Sequence, residues 1–175
     1  MNAPPATLLV SVDNPVVCVK ISGRANFTSS VDFKTLVNEL WEEGRRFFAL
    51  DLTDCLIMDS TFLGVLAGIS VRLANAVPPN GAPHLILINP NSRIAELLDT
   101  LGVAHLFKTI TSAEPVSGKF EAPATSAACS RDEISRTCLE AHQTLMHVNP
   151  GNVPRFQEVA QFLAEKLKKP NPGPY

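Results

Sequence analysis

Apolar positions along this chain change period several times, from near-continuous or alternating runs to a spacing of about 3.6, so strands alternate with helices. "TLLVSV" reads as a short strand, Asp13-Asn14-Pro15 as a turn and "VVCVKIS" as a second strand, which together predict a hairpin. "GRANFTSS" is a loop ending in hydroxyls suited to capping a helix. Beyond it Phe33, Leu36, Val37, Leu40 and Trp41 recur at helical spacing, and Gly44 stands where that helix would stop. "RRFFALDL" is apolar almost without interruption, as a central strand covered by helices would be. "TDCLIMD" is read as a loop into a helix from about Ser60 to Ala76, ended by Pro78 and Pro79. "HLILIN" predicts another central strand. Asn91 or Ser92 then caps a helix carrying Ile94, Leu97, Leu98 and Leu101, with Gly102 as its stop and "AHLFKTI" as a last short strand. The order β-β-α-β-α-β-α-β over roughly residues 7 to 112 predicts an α/β fold with a mixed central β-sheet packed against helices.

The pattern then breaks. Residues 113–127, "AEPVSGKFEAPATSA", are rich in Pro, Ala and Ser and read as a linker. Ser130 and Glu133 have capping-box spacing, and the helix they open would carry Ile134, Cys138, Leu145 and Met146 to about His147. "NPGN" turns the chain, and Asn152 is placed to cap a last helix with Pro154 in its first turn. Val153, Phe156, Ala160, Leu163 and Leu167 form its stripe, and Lys166, Lys168 and Lys169 sit where the helix dipole favours cations. A helical hairpin is thus expected over 128–170, followed by a loose tail at 171–175.

Composition narrows the class. With 45% hydrophobic and 18% charged residues in 175, a packed core is expected. The net charge of −2 offers nothing basic enough to bind nucleic acid directly, apart from the lysines near the C-terminus. The opening "MNAPPATLLV" lacks the charged and apolar regions of a signal peptide, and the longest apolar run, Phe62 to Val71, is too short to span a bilayer. No membrane insertion and a cytoplasmic location are therefore expected. Cys18, Cys55, Cys129 and Cys138 show no paired spacing and read as reduced packing residues. Cys138 and His142 are i,i+4, with His147 beyond, but no further ligand completes a metal site. Asp51, Asp54 and Asp59 read as a solvated loop at strand ends rather than a metal cluster. No cofactor is expected.

The chemistry concentrates in "LDLTDCLIMDSTFLGVLAGI", Leu50 to Ile69, where Asp59-Ser60-Thr61 sits between a strand and a small-residue-rich helix. In the bland reading Ser60 caps that helix and Asp59 is a loop residue. A second reading is a nucleophile. The G-x-S-x-G elbow is absent, since Met58 and Phe62 flank Ser60, and no histidine has local spacing to it. A third is a phosphorylation switch. The free N–H groups and dipole of a helix start tolerate a phosphate, while a docking partner would meet a new repulsive charge. Phe62, Leu66, Ile69 and Leu73 form the helix's inward stripe. Gly64 and Gly68 leave a shallow second face with Leu63, Val65 and Ala67, which reads either as a helix covered on two sides or as an exposed docking patch.

The stretch Leu50 to Gly64, "LDLTDCLIMDSTFLG", with "HLILIN" and "LLDTLGVAHLF" downstream, resembles the STAS domain of the anti-sigma factor antagonist family. That family carries Asp-Ser-Ser/Thr-Gly-Leu-Gly at the start of a helix. The resemblance covers about residues 7 to 112, hence a STAS domain over 1–112. It implies that Ser60 is the phosphoacceptor, with Thr61 as a second acceptor. It implies a surface of Asn26, Asp59, Ser60, Thr61, Phe62, Leu63 and Gly64 that binds an anti-sigma factor which is also a serine protein kinase. A PP2C-like phosphatase would reset the switch, and the protein would be a binder, not an enzyme. Two positions depart from the pattern. Asn26 stands where the family usually has Asp, and Phe62 stands where it has a small Gly, placing a bulky ring at the expected docking surface.

Two functions follow. One is a phosphorylation-regulated anti-sigma factor antagonist in a bacterial partner-switching pathway. The other is a non-phosphorylated STAS adaptor, such as the small subunit of a lipid-transport ABC system or a sensor scaffold, which the departures at Phe62 and Asn26 favour. The apolar stripes of the C-terminal hairpin need a mate, by packing back on the first domain, by forming a homodimer or by binding a partner.

Overall fold

The structure, a computed structural model, describes residues 6–76, 85–123 and 130–169. Cys129, His84, Pro78, Pro79, the end of the expected linker and the tail 171–175 lie outside these.

The predicted hairpin is formed by β1 (Thr7–Ser11) and β2 (Val17–Ala25), antiparallel with Thr7 opposite Ser22 and Ser11 opposite Cys18. Arg45 closes its turn by donating to the carbonyls of Val12 and Asn14. Helix α1 (Phe27–Glu42) begins at a full capping box. The Asn26 side chain accepts from the amides of Thr28 and Ser29, and the Ser29 hydroxyl oxygen accepts from the Asn26 amide. Gly44 follows the helix with φ of +93°, a conformation that costs glycine little, and its amide donates to the Trp41 carbonyl.

Strand β3 (Phe48–Asp51) pairs in parallel with β2, β5 (Leu85–Ile88) with β3, and β6 (Lys108–Ile110) with β5. The central strands are nearly all buried, as their continuous apolar sequence requires. Two segments differ from expectation. "CLIM", read as a loop, is strand β4 (Cys55–Met58), which pairs in parallel with the far end of β2 across an irregularity between Gly23 and Arg24. Only the end of "AHLFKTI" is strand; Ala104–Leu106 make one 3-10 turn. The sheet runs β1-β2-β3-β5-β6, with β4 off its path on β2. Helices α2 (Ser60–Ala76) and α3 (Ser92–Thr100) complete the domain, the latter capped by Asn91.

Beyond β6 the chain passes the sheet edge once, where Val10 and Glu121 form an isolated bridge. It then builds α4 (Arg131–Val148) and α5 (Val153–Lys168), with Ser130 accepting from the Glu133 amide as the N-cap of α4. Asn152 does not cap α5. Its amide group is buried and donates instead to the carbonyls of Leu101 and Leu145, tying the hairpin turn to the end of α3. Asn149 donates to the same Leu101 carbonyl.

Helix α2 packs beside α1, α4 lies across both, and α5 backs α4. Of the three fates open to the hairpin's stripes, packing back on the first domain is the one observed. Ala141, Leu145 and Phe156 join the same core as Leu50, Phe62 and Leu87. Among the described residues, no helix is long and apolar enough to cross a membrane.

Candidate functional site

Strand β4 ends at Met58 beside Ala25, and there Asp59 begins α2. The Asp59 amide donates to the Ala25 carbonyl at 2.9 Å, its carbonyl accepts from the Leu63 amide, and its carboxylate accepts from the Phe62 amide at 2.8 Å. Asp59, not Ser60, therefore caps the helix. Ser60 is the first helical residue, half-buried, and its hydroxyl is free of capping duty.

That hydroxyl is engaged from another element. Ser60 Oγ lies 3.0 Å from His142 Nε2, and His142 Nδ1 lies 2.8 Å from the Cys138 carbonyl one turn back in α4. A carbonyl accepts only, so Nδ1 carries the proton and Nε2 accepts from the Ser60 hydroxyl. The Phe156 ring of α5 stands 4.9 Å from the imidazole, centre to centre. Burial pulls the His142 pKa below its ordinary value, opposed by the Cys138 carbonyl and by Asp59. Burial also pushes the Asp59 pKa up, against the Phe62 amide and the other bonds that favour its ionised form.

Thr61 was expected as a second acceptor, but its side chain is buried under α4 and its hydroxyl donates to Cys138 Sγ at 3.7 Å. Phe62 and Leu63, expected at a partner surface, are fully buried. The Phe62 ring packs on Phe33 with centroids 5.2 Å apart, so the bulky residue in the Gly position of the motif is a core residue, not a docking one. Helical period explains this, because position 62 shares the inward stripe with Leu66, Ile69 and Leu73. The second face is also covered. Gly64 lies so close to α4 that a Cβ there would sit 2.5 Å from the Ala141 carbonyl oxygen. Asn26 neighbours Asp59 through Ala25, but its side-chain oxygen is spent on the α1 cap.

His142 is the contributor that sequence reasoning missed. It is 82 residues from Ser60, and only the i,i+4 pairing with Cys138 marked it. An activated serine needs amide donors for an oxyanion, and the neighbouring Phe62 and Leu63 amides are held by the Asp59 carboxylate and carbonyl. Cys138 and His142, weighed as metal ligands, instead face Thr61 and Ser60. Among the described residues no group of three His, Cys, Asp or Glu side chains is arranged to hold a metal.

Known proteins place this architecture. The structure of the anti-sigma factor antagonist SpoIIAA in its unphosphorylated form matches with a TM-score of 0.50 at 17% identity, over 59% of this chain and 88% of that one. The NMR structure of the protein TM1081 from Thermotoga maritima matches with a TM-score of 0.51 at 22% identity, over 59% of this chain and 79% of that one. At such identities the likeness is one of fold. No curated protein matches the sequence. The family model for the STAS domain matches residues 7–115, well over half of the chain and the whole of the mixed sheet with α1 to α3. The chain belongs to the STAS domain family.

Proposed function

We propose that this protein is a phosphorylation-regulated binding module of the anti-sigma factor antagonist kind, with Ser60 as its phosphoacceptor, and that it is not an enzyme. The reading rests on Ser60 standing as the first residue of α2 with a hydroxyl that Asp59 relieves of capping. A phosphate there would gain the helix dipole without dismantling the helix. The fold neighbour described as an anti-sigma factor antagonist in its unphosphorylated form supports the same assignment. The partners are then an anti-sigma factor with serine kinase activity and a PP2C-like phosphatase, in the cytoplasm of a bacterium. The division is a STAS domain to about residue 112, a linker and a helical hairpin.

The test is intact mass with peptide mapping of the protein from its own host, with and without phosphatase. A phosphoryl adduct on the Ser60 peptide upholds the reading; an unmodified peptide under several stresses sinks it. The contacts of Ser60 and Thr61 with α4 favour the second reading, a STAS adaptor that is not phosphorylated. In that case Ser60→Asp leaves affinity for its partner unchanged.

A further inference from the structure

The face of α2 opposite its core stripe is shaped for a helix. At Gly64 the α4 backbone approaches so closely that no side chain fits, and one turn on, at Gly68, the Thr144 side chain of the same helix stands 3.8 Å from where a methyl group would sit. The occupant is a segment of the same chain on a long tether. Between β6 and α4 the described residues form no helix; Ser112 is bonded to Asn89, the Lys119 amide donates to Asp13 and Glu121 bridges Val10. The seam carries more polar contacts than the core beneath it. It holds Ala141 and Leu145 as apolar contacts, and Thr137 of α4 is a buried polar residue beside Gly64 and Val65. Its polar ties are His142 on Ser60 and Thr61 on Cys138, with an exposed ion pair from Lys34 of α1 to Glu140 beside them. Two solvent-open grooves of about 710 and 160 Å³, both lined by Gly68 and Thr144, run along its outer edge.

We propose that the α4–α5 hairpin is a tethered competitor for a helix-accepting face on α2, latched by His142 on the Ser60 hydroxyl, and that an acidic group at position 60 unseats it. The external ligand of this face is an amphipathic helix with a small residue opposite Gly64, as Ala141 is in the resident one. An acidic group removes the proton that His142 Nε2 accepts and adds charge beside Asp59 in a half-buried slot. Asn149 and Asn152 pin the hairpin turn to Leu101, so α4 lifts about that turn from its first residue through Thr144. The cover itself does not depend on phosphorylation; only the identity of the acidic group as a phosphate rests on the function proposed above.

Hydrogen–deuterium exchange on the full chain tests the latch. In Ser60→Glu, amides of α4 through Thr144 and the opening turns of α2 should exchange at least about tenfold faster than in wild type, with β2, β3 and β5 unchanged. Ser60→Ala, which loses the bond without adding charge, should fall between. Wild-type protection of α4 in Ser60→Glu, or parallel loss across the sheet, overturns the proposal. A second measurement tests the groove. Ala141→Glu in the full chain should bind a labelled peptide of residues 131–169 at least about tenfold more tightly than wild type does, because its own hairpin no longer competes. Equal binding to both, or binding to neither, overturns it. Neither result uses phosphate, so an unmodified Ser60 in the host would end the phosphorylation reading and leave these outcomes standing.

Discussion

Gly64 of α2 and Ala141 of α4 meet so closely that a Cβ on the glycine would lie 2.5 Å from the Ala141 carbonyl oxygen and 2.7 Å from its Cβ. One turn away a Cβ on Gly68 would meet only the Thr144 side chain, at 3.8 Å. The same substitution at these two positions should therefore act with opposite sign. In a helix interior, alanine is favoured over glycine by roughly 1 kcal/mol. At Gly68 nothing opposes that gain, so Gly68→Ala should be neutral or stabilising by up to about 1 kcal/mol. At Gly64 the obstacle is backbone, and overpacking of about 1–3 kcal/mol outweighs the propensity. Gly64→Ala should lower stability in urea unfolding, and Gly64→Val should lower it further.

Phe62 fills the core against Phe33. Phe62→Ala should cost about 3–5 kcal/mol in the same measurement, and Phe62→Leu much less. A docking residue on the surface would lose binding with little change in stability, so the two roles separate in one unfolding curve.

Asn26 holds two amides of the first turn of α1. Asn26→Ala should destabilise by about 1 kcal/mol, seen as a lower Tm. Asn26→Asp, which restores the residue usual in the family, keeps the acceptor and should be near neutral in stability.

The pH response follows from the depressed pKa of His142. The unfolded chain binds its proton at higher pH than the folded one. Its contribution to stability is thus fully present above the ordinary value of 6.5 and is lost as pH falls from there toward the folded pKa. Asp59, facing it from α2, has a raised pKa. The folded state takes up that proton first, so Asp59 weighs against stability at neutral pH and does so less as pH falls toward 3.8. Cys138 on the same helix also has a raised pKa, with Lys166 of α5 pulling the other way, and the thiol stays neutral throughout this range. Chemical denaturation between pH 7.5 and 5.5 should show a loss that His142→Gln removes. The slope should be confined to the hairpin when followed by exchange at α4. A wild-type curve that superimposes on that of His142→Gln would assign no such role to the imidazole.

The order of elements is legible because each central strand is a continuous apolar run and each helix repeats at its own period. The helix that begins at Ser60 is legible as far as the described residues run. Strand β4 is not, because it is short and one of its middle residues, Leu56, is 52% exposed, so neither length nor alternation marks it. The cap of α2 falls between two adjacent residues that are both good caps, and the sequence favours the wrong one. Phe62 is claimed at once by the inward stripe and by the docking surface, and helical period decides for the stripe. The partner of Ser60 is out of reach of any local pattern. His142 meets it only because α4 folds back over α2, and a tertiary contact across a linker leaves no periodicity to read.

The tether between β6 and α4 also sets an order in time. During synthesis the sheet and α1 to α3 are made before the first residue of α4. At about 5–20 residues per second, the α2 face stays bare on every nascent chain for on the order of seconds. A helix able to take the place of α4 would meet that face then without competition, so loading on the nascent chain and binding to the finished protein would be kinetically different events.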